Sequence, residues 1–166
     1  MDIAFLKKTL GLIPLPQEGG FYAESYRCAE TLHAACLPSR YGSSRSFTTA
    51  IYFLLTQDSF SALHRLASDE VWHFYLGDPV ELLQLDANGE ARAVLLGTDF
   101  SRRMRPQIVV PRGAWQGARL LPGGEFALLG ATVSPGFEFS DFELGRRDEL
   151  LGVYPEFSNQ IRALTR

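Results

Sequence analysis

A chain of 166 residues, 46% hydrophobic and 21% charged, has ordinary globular composition and enough length to bury a core, which excludes a disordered chain, a coiled coil and a collagen-like fibre. With 16 Lys and Arg against 19 Asp and Glu, a net charge of −3 gives no surplus positive field for phosphates, so nucleic acid is not an expected partner, and the arginines at 102, 103 and 105 read as a solvated loop. No run reaches the roughly 18 apolar residues of a membrane span; Lys7 and Lys8 follow the first apolar residues and so do not begin a secretory signal, and Cys28 and Cys36 make no disulfide framework, so a cytoplasmic chain with reduced thiols and no membrane partner is expected.

In chain order, Ile3, Leu6, Leu10 and Ile13 at helical spacing predict a short helix over residues 2–13, ended by Pro14 and Pro16. Gly19 and Gly20 open an extended run over 21–28, and the turn formers Pro38, Gly42, Ser43 and Ser44 mark 37–46 as a loop. Strands follow at 47–55, 60–66, 70–76 and 80–85; the turn Asp86-Ala87-Asn88-Gly89 folds the last of these into a hairpin with 91–96. Further strands are expected at 107–110, 115–120 and 125–133, the last two flanking Pro122-Gly123-Gly124. A second helix is expected over 146–151, with Ser158 capping a last turn through Leu164. Short strands at this spacing, parted by Gly and Pro turns, argue for an all-β sandwich, jelly roll or small barrel, with residues 1–166 as one domain.

Chemistry is best sought at histidine, which titrates near neutral pH and ligates metals. His33 lies in a turn-rich stretch with no partner in sequence, whereas His64 and His73 bracket Asp69 and Glu70 within ten residues. If the strands at 60–66 and 70–76 are neighbours, His64 and Glu70 meet across the ladder. Strand parity puts Glu70, Trp72, Phe74 and Leu76 on one face and Val71, His73 and Tyr75 on the other. A carboxylate among large apolar groups is costly unless a metal, a histidinium or a ligand hydrogen bond pairs with it; otherwise Glu70 is wet at the strand start. Trp72 and Phe74 read as core or as cavity wall, and His73 faces the second sheet or a partner subunit. Tyr52 shares a face with Thr48 and Ala50, and its hydroxyl is a candidate ligand contact. Asp141 and Glu143 share a face and either close a cavity mouth or sit on the surface. No Gly-x-Ser-x-Gly elbow, P-loop or dinucleotide fingerprint is present in the sequence.

The segment from His64 through Glu70 to Gly77 resembles the first motif of the cupin superfamily, with Leu66 in place of the second histidine. Pro111-x-Gly113 resembles the turn of the second motif, with Gln116 in place of its histidine and Leu120 in place of its asparagine. The stretches EGGFYAESYR, IYFLL, LHRLASDEVWHFYLGDP, VPRGAWQGA and SPGFEFSDFELGRRDEL together resemble the cupin-5 branch over nearly the full length. The resemblance implies a cupin jelly roll, a double-stranded β-barrel with short flanking helices, paired as a homodimer, with Glu18 and Tyr22 where N-terminal strands cross to a neighbour. It also implies that His64, Glu70 and Gln116 stand at the positions of a divalent metal ion's ligands, although two imidazoles of the usual set are missing, at a cost of orders of magnitude in affinity for late transition metals.

Three functions stay open on these grounds. One is an isomerase or epimerase acting on a small, carbohydrate-like metabolite, with His64 as base and Tyr52 or Glu70 as acid. The second is a non-catalytic small-molecule binder or sensor, and the third a metal-dependent enzyme. Glu18, Trp72, His73, Phe74, Gln116 and Asp141 are the candidate ligand contacts.

Overall fold

The computed structural model describes residues 2–166. Helix α1, Ile3–Leu10, starts where the Asp2 carboxylate accepts the amide of Ala4 and stops where Gly11, at φ +64°, donates to the Lys7 carbonyl. A left-handed glycine thus ends the helix earlier than the prolines predicted, and Ile13–Pro14 becomes strand β1. The chain continues through β2 Phe21–Arg27, β3 Thr31–Leu32, β4 Arg45–Ser46, β5 Thr49–Thr56, β6 Phe60–Leu66, β7 Asp69–Gly77 and β8 Val80–Leu85. Then come β9 Ala91–Leu96, β10 Gln107–Val110, β11 Trp115–Leu120, β12 Phe126–Ser134 and β13 Phe142–Leu144, and helices α2 Arg147–Val153 and α3 Ser158–Ala163. Ser158 opens α3 without capping it; Phe157 precedes the helix and no side chain bonds its first amides.

Two antiparallel sheets face each other. One has the order β1-β2-β5-β12-β7-β10, the other β13-β6-β11-β8-β9, and β3-β4 form a small ribbon beside them. The sheets keep separate edges, so the observed arrangement is two facing layers and not the closed barrel expected. Phe53, Leu55, Trp72, Leu82 and Leu129 fill the space between them, with the Trp72 ring edge-on to Phe53 at 5.6 Å. Such a pair adds about 0.5–1.5 kcal/mol beyond its burial. Leu6 of α1 covers Leu54 and Leu128 on the outer face of the six-stranded sheet, and Leu150 and Ile161 cover Leu63, Leu83 and Leu85 behind the five-stranded one.

Two features alter the geometry expected for the site. Strands β6 and β7 are consecutive but lie in different sheets, so His64 and Glu70 face each other across the interior and not along a ladder. In β7 the register against β12 shifts between Phe74, opposite Leu129, and Leu76, opposite Leu128. This bulge reverses parity. Glu70, Trp72 and Phe74 point inward, while Leu76 turns outward to pack with the residues under α1. The Tyr75 ring lies across the outer face at Gly130, where a Cβ would stand 2.2 Å from its hydroxyl.

Candidate functional site

A cavity of about 330 Å³ opens between the sheets, within the usual size range for small-molecule sites. Strand β6 contributes His64 and Leu66, β7 contributes Glu70, and β2 contributes Tyr22, Glu24 and Arg27; Glu18 and the aromatic residues Phe137, Phe139 and Phe142 complete its polar and apolar walls. Glu18 reaches this position because Gly19 and Gly20 carry positive φ, and a Cβ on Gly19 would stand 2.3 Å from the Phe60 carbonyl oxygen. Backbone that close to β6 lets the Glu18 carbonyl accept the Ala62 amide at 2.8 Å, and its carboxylate accepts the Ser61 hydroxyl.

His64 is 2% exposed. Its Nδ1 lies 2.8 Å from the Ala62 carbonyl, which can only accept, so Nδ1 carries the proton and Nε2 keeps a lone pair with no protein partner. Phe142 stacks on the ring at 5.0 Å and fixes its plane. Glu70 is 6% exposed, and burial pushes its carboxyl up from 4.5 to about 7. The His64 imidazole opposes that rise and Glu18 adds to it; the hydrogen bond from Gln116 and the nearby Trp72 indole also oppose it.

Gln116 donates its amide to Glu70 Oε2 at 2.5 Å and accepts the Trp72 indole N–H on Oε1 at 2.8 Å. The indole can only donate, so the amide has one orientation. That orientation removes Gln116 from the expected metal set: its oxygen is occupied by Trp72, and an amide N–H does not ligate. Leu66 offers no donor atom, so the expected centre keeps one imidazole and one carboxylate, and the residues present do not fit a metal site. Among the described residues, no three His, Cys, Asp or Glu side chains converge on a common point suited to a cation.

The other sequence candidates lie away from the cavity. Trp72 and Phe74 are part of the core beneath it. Tyr52 is on the outer face, grouped with the residues under α1 and edge-on to Tyr75 at 6.2 Å, and so cannot serve as an acid to a ligand between the sheets. His73 also faces outward, 3.1 Å from the Thr132 hydroxyl and stacked on Tyr75; burial lowers its pKa. The Asp141 carboxylate is spent on Arg45 inside the protein, their side chains 5% and 0% exposed, while Glu143 pairs with Arg65 at the surface, so the two acids do not share a face.

Arg27 and Glu24 were not expected at the site. A bulge at Ser25, between Glu24 opposite Ile51 and Tyr26 opposite Ala50, restores Arg27 to the inward face three residues after Glu24. Glu24, Glu138 and the Phe137 carbonyl then take up all three guanidinium nitrogens. Alternation along FYAESYR puts Tyr22 and Glu24 on one face, but the bulge that brings in Arg27 has no signal in it.

Comparison with known proteins gives one consistent grouping. The model of the Cupin_5 family, described as Cupin superfamily (DUF985), matches residues 5–145. An uncharacterized Saccharomyces cerevisiae protein, YML079W, is 30% identical over 144 residues, covering 81% of this chain and 71% of that protein. The crystal structure of protein SO0799 from Shewanella oneidensis matches with TM-score 0.86 and 36% identity over 100% of this chain and 98% of that one. A hypothetical protein from Leishmania major matches with TM-score 0.87 and 33% identity over 99% of each chain.

Proposed function

The chain belongs to the Cupin_5 family of the cupin superfamily, and from that footing we propose that its inter-sheet cavity, the interior of a cupin jelly roll, binds one small polar organic molecule and shifts a proton on it, as an isomerase or epimerase of a carbohydrate-like substrate would. One observation carries the reading: His64 presents a basic Nε2 to the cavity while Glu70, facing the same space, holds its carboxyl near 7. A base and an acid facing one space are what a proton shift between adjacent carbons requires, and each typically contributes 10²–10⁴-fold to rate. His64 Nε2 takes the proton from carbon, its Nδ1–H held on the Ala62 carbonyl so that the imidazolium formed stays in place. Protonated Glu70 donates to the substrate oxygen on which charge develops, and Gln116 holds the carboxylate that remains. The phenyl walls exclude water from the transfer.

The test is solvent deuterium uptake. Neutral and amino sugars that raise the melting temperature are incubated with the protein in D2O and followed by NMR. Uptake at one carbon, lost by at least about 100-fold in His64→Ala while the fold persists, is the expected result. Tight binding with no uptake in the unaltered protein defeats the catalytic reading. A second reading, a non-catalytic binder, then takes its place; it is favoured by Gln116, whose grip on one Glu70 oxygen suits a fixed hydrogen-bonding wall.

We also propose that two copies pair through the outer face of the six-stranded sheet, where Tyr26, Tyr75 and Val109 are each about half exposed. Sedimentation equilibrium of the protein against Tyr75→Glu tests this, with a monomeric unaltered protein as the adverse outcome. A cytoplasmic setting accords with Cys28 and Cys36, both free thiols. Among the described residues, no helix is long and apolar enough to cross a membrane.

A further inference from the structure

The uncommitted polar atoms deep in the cavity are mostly acceptors. His64 Nε2 accepts, because Nδ1 holds the ring proton on Ala62. Glu18 keeps Oε2 without a protein partner, and Glu70 Oε1, also free, donates while its carboxyl is protonated and accepts once it is ionised. The donors beside them are already used: the Ser61 hydroxyl on Glu18, the Gln116 amide on Glu70, and the Arg27 guanidinium on Glu24, Glu138 and the Phe137 carbonyl. Tyr22 and Thr49 bring hydroxyls that donate or accept as a ligand demands, so they do not change the balance.

Charge points the same way. Glu18, Glu24, Glu70 and Glu138 line the cavity; Arg27 pairs with Glu24 and Glu138 on its exposed side, which leaves Glu18 as the carboxylate with no arginine or lysine beside it. A carboxylate or phosphate on the ligand would meet the Glu18 carboxylate and other acceptors where it needs donors. An ammonium meets the Glu18 carboxylate, an imidazole lone pair and the aromatic lining of Tyr22 and Phe142, surroundings that stabilise a cation.

We infer that the ligand of this cavity is a small amine, an amino sugar or a compound of similar size, whose ammonium group is bound by Glu18 while its carbon skeleton lies between His64 and Glu70. The inference rests on the cavity reading above and narrows it: phosphorylated sugars and organic acids are excluded. Glu18 is thereby the specificity-determining residue, separate from the proton-transfer pair.

A thermal-shift and calorimetric screen of small amines, each beside its isosteric alcohol and carboxylate, tests this. Glucosamine, glucose and gluconate form one such trio. An amine is expected to raise the melting temperature, its alcohol to bind at least about tenfold more weakly, and its carboxylate not to bind. Glu18→Gln, which keeps an acceptor for Ser61, is expected to weaken the amine by at least about tenfold and to leave the alcohol unchanged. Should that variant fold poorly, salt titration of the unaltered protein serves, since added salt weakens the amine and not the alcohol. A carboxylate or alcohol binding as well as the amine, or Glu18→Gln retaining full affinity, overturns the inference while the cavity reading stands. Amine binding without deuterium uptake supports the inference and defeats proton transfer. Binding by no member of any trio defeats both.

Discussion

Gln116 donates its side-chain N–H to Glu70 Oε2 across 2.5 Å, at the position that the resemblance to the second cupin motif gives to a ligand histidine. The exchange converts a ligand pair into a donor–acceptor pair. With Leu66 also replacing a histidine, the unaltered protein is expected to retain well below one equivalent of zinc, manganese or iron per chain after dialysis, measured by elemental analysis. Leu66→His with Gln116→His rebuilds three imidazoles and one carboxylate around the same space, and is expected to raise zinc affinity by orders of magnitude. One firmly held equivalent in the unaltered protein would show that the donor set here has been misread.

Glu70 makes stability depend on pH in a stated direction. Its folded carboxyl is raised to about 7 from 4.5, because burial outweighs the opposing His64 imidazole, the Gln116 hydrogen bond and the nearby Trp72 indole, with Glu18 pushing the same way as burial. Between those two values the folded chain holds a proton that the unfolded chain has lost. Stability therefore falls as pH rises through this window, by on the order of 3 kcal/mol at most, and levels off above it. Glu70→Gln removes the titration and keeps an acceptor for Gln116. Its melting temperature is expected to exceed that of the unaltered protein at about pH 8, the gap closing by about pH 4.5. Parallel melting curves at all pH values would contradict this account.

Tyr52 offers a contrast, since its hydroxyl is on the far side of β5 from the cavity. Tyr52→Phe is expected to leave ligand affinity and any deuterium uptake unchanged, and to shift stability by less than about 1 kcal/mol, the scale of its edge contact with Tyr75. A large loss of affinity would require a route through the sheet that the geometry does not provide.

The limits of reading this site from sequence were set by bulges and by sheet membership. Strands β6, β8, β9, β10 and β11 were legible to the residue, because Gly, Pro and Asn turns bound short runs rich in apolar and β-branched residues. Parity placed Glu70, Trp72 and Phe74 together, and the bulge in β7 spoiled it only at Leu76. The bulge in β2 hid Arg27 in the same way. For Tyr52 the question was which face is inner, and period-two spacing carries no sign: β5 is apolar on both faces because α1 covers the outer one. Gln116 was placed correctly in the chain, but its orientation depends on the Trp72 indole, forty-four residues earlier, and no local pattern encodes that contact. Asp141 was misjudged for the same reason, its partner lying far away in a stretch that read as loop.

That partner gives the last prediction. Arg45 Nε donates to Asp141 Oδ2 at 2.7 Å and Nη2 to Oδ1 at 2.5 Å, while Nη1 donates to the carbonyls of Ser43 and Ser44. The fork ties the turn before β4 to the short helical turn Phe139–Asp141, and so to Phe139 and Phe142 at the cavity wall. Both side chains are removed from water, so deleting one strands the other's charge, at a cost of about 3–5 kcal/mol. Asp141→Ala is expected to lower the urea midpoint accordingly with little change in slope. Arg45→Lys is expected to recover little, because a point charge cannot make the paired hydrogen bonds of the planar fork. Arg45→Met with Asp141→Leu removes both charges together and is expected to cost clearly less than either single deletion. A double variant as unstable as the sum of the two would show that the two charges act independently.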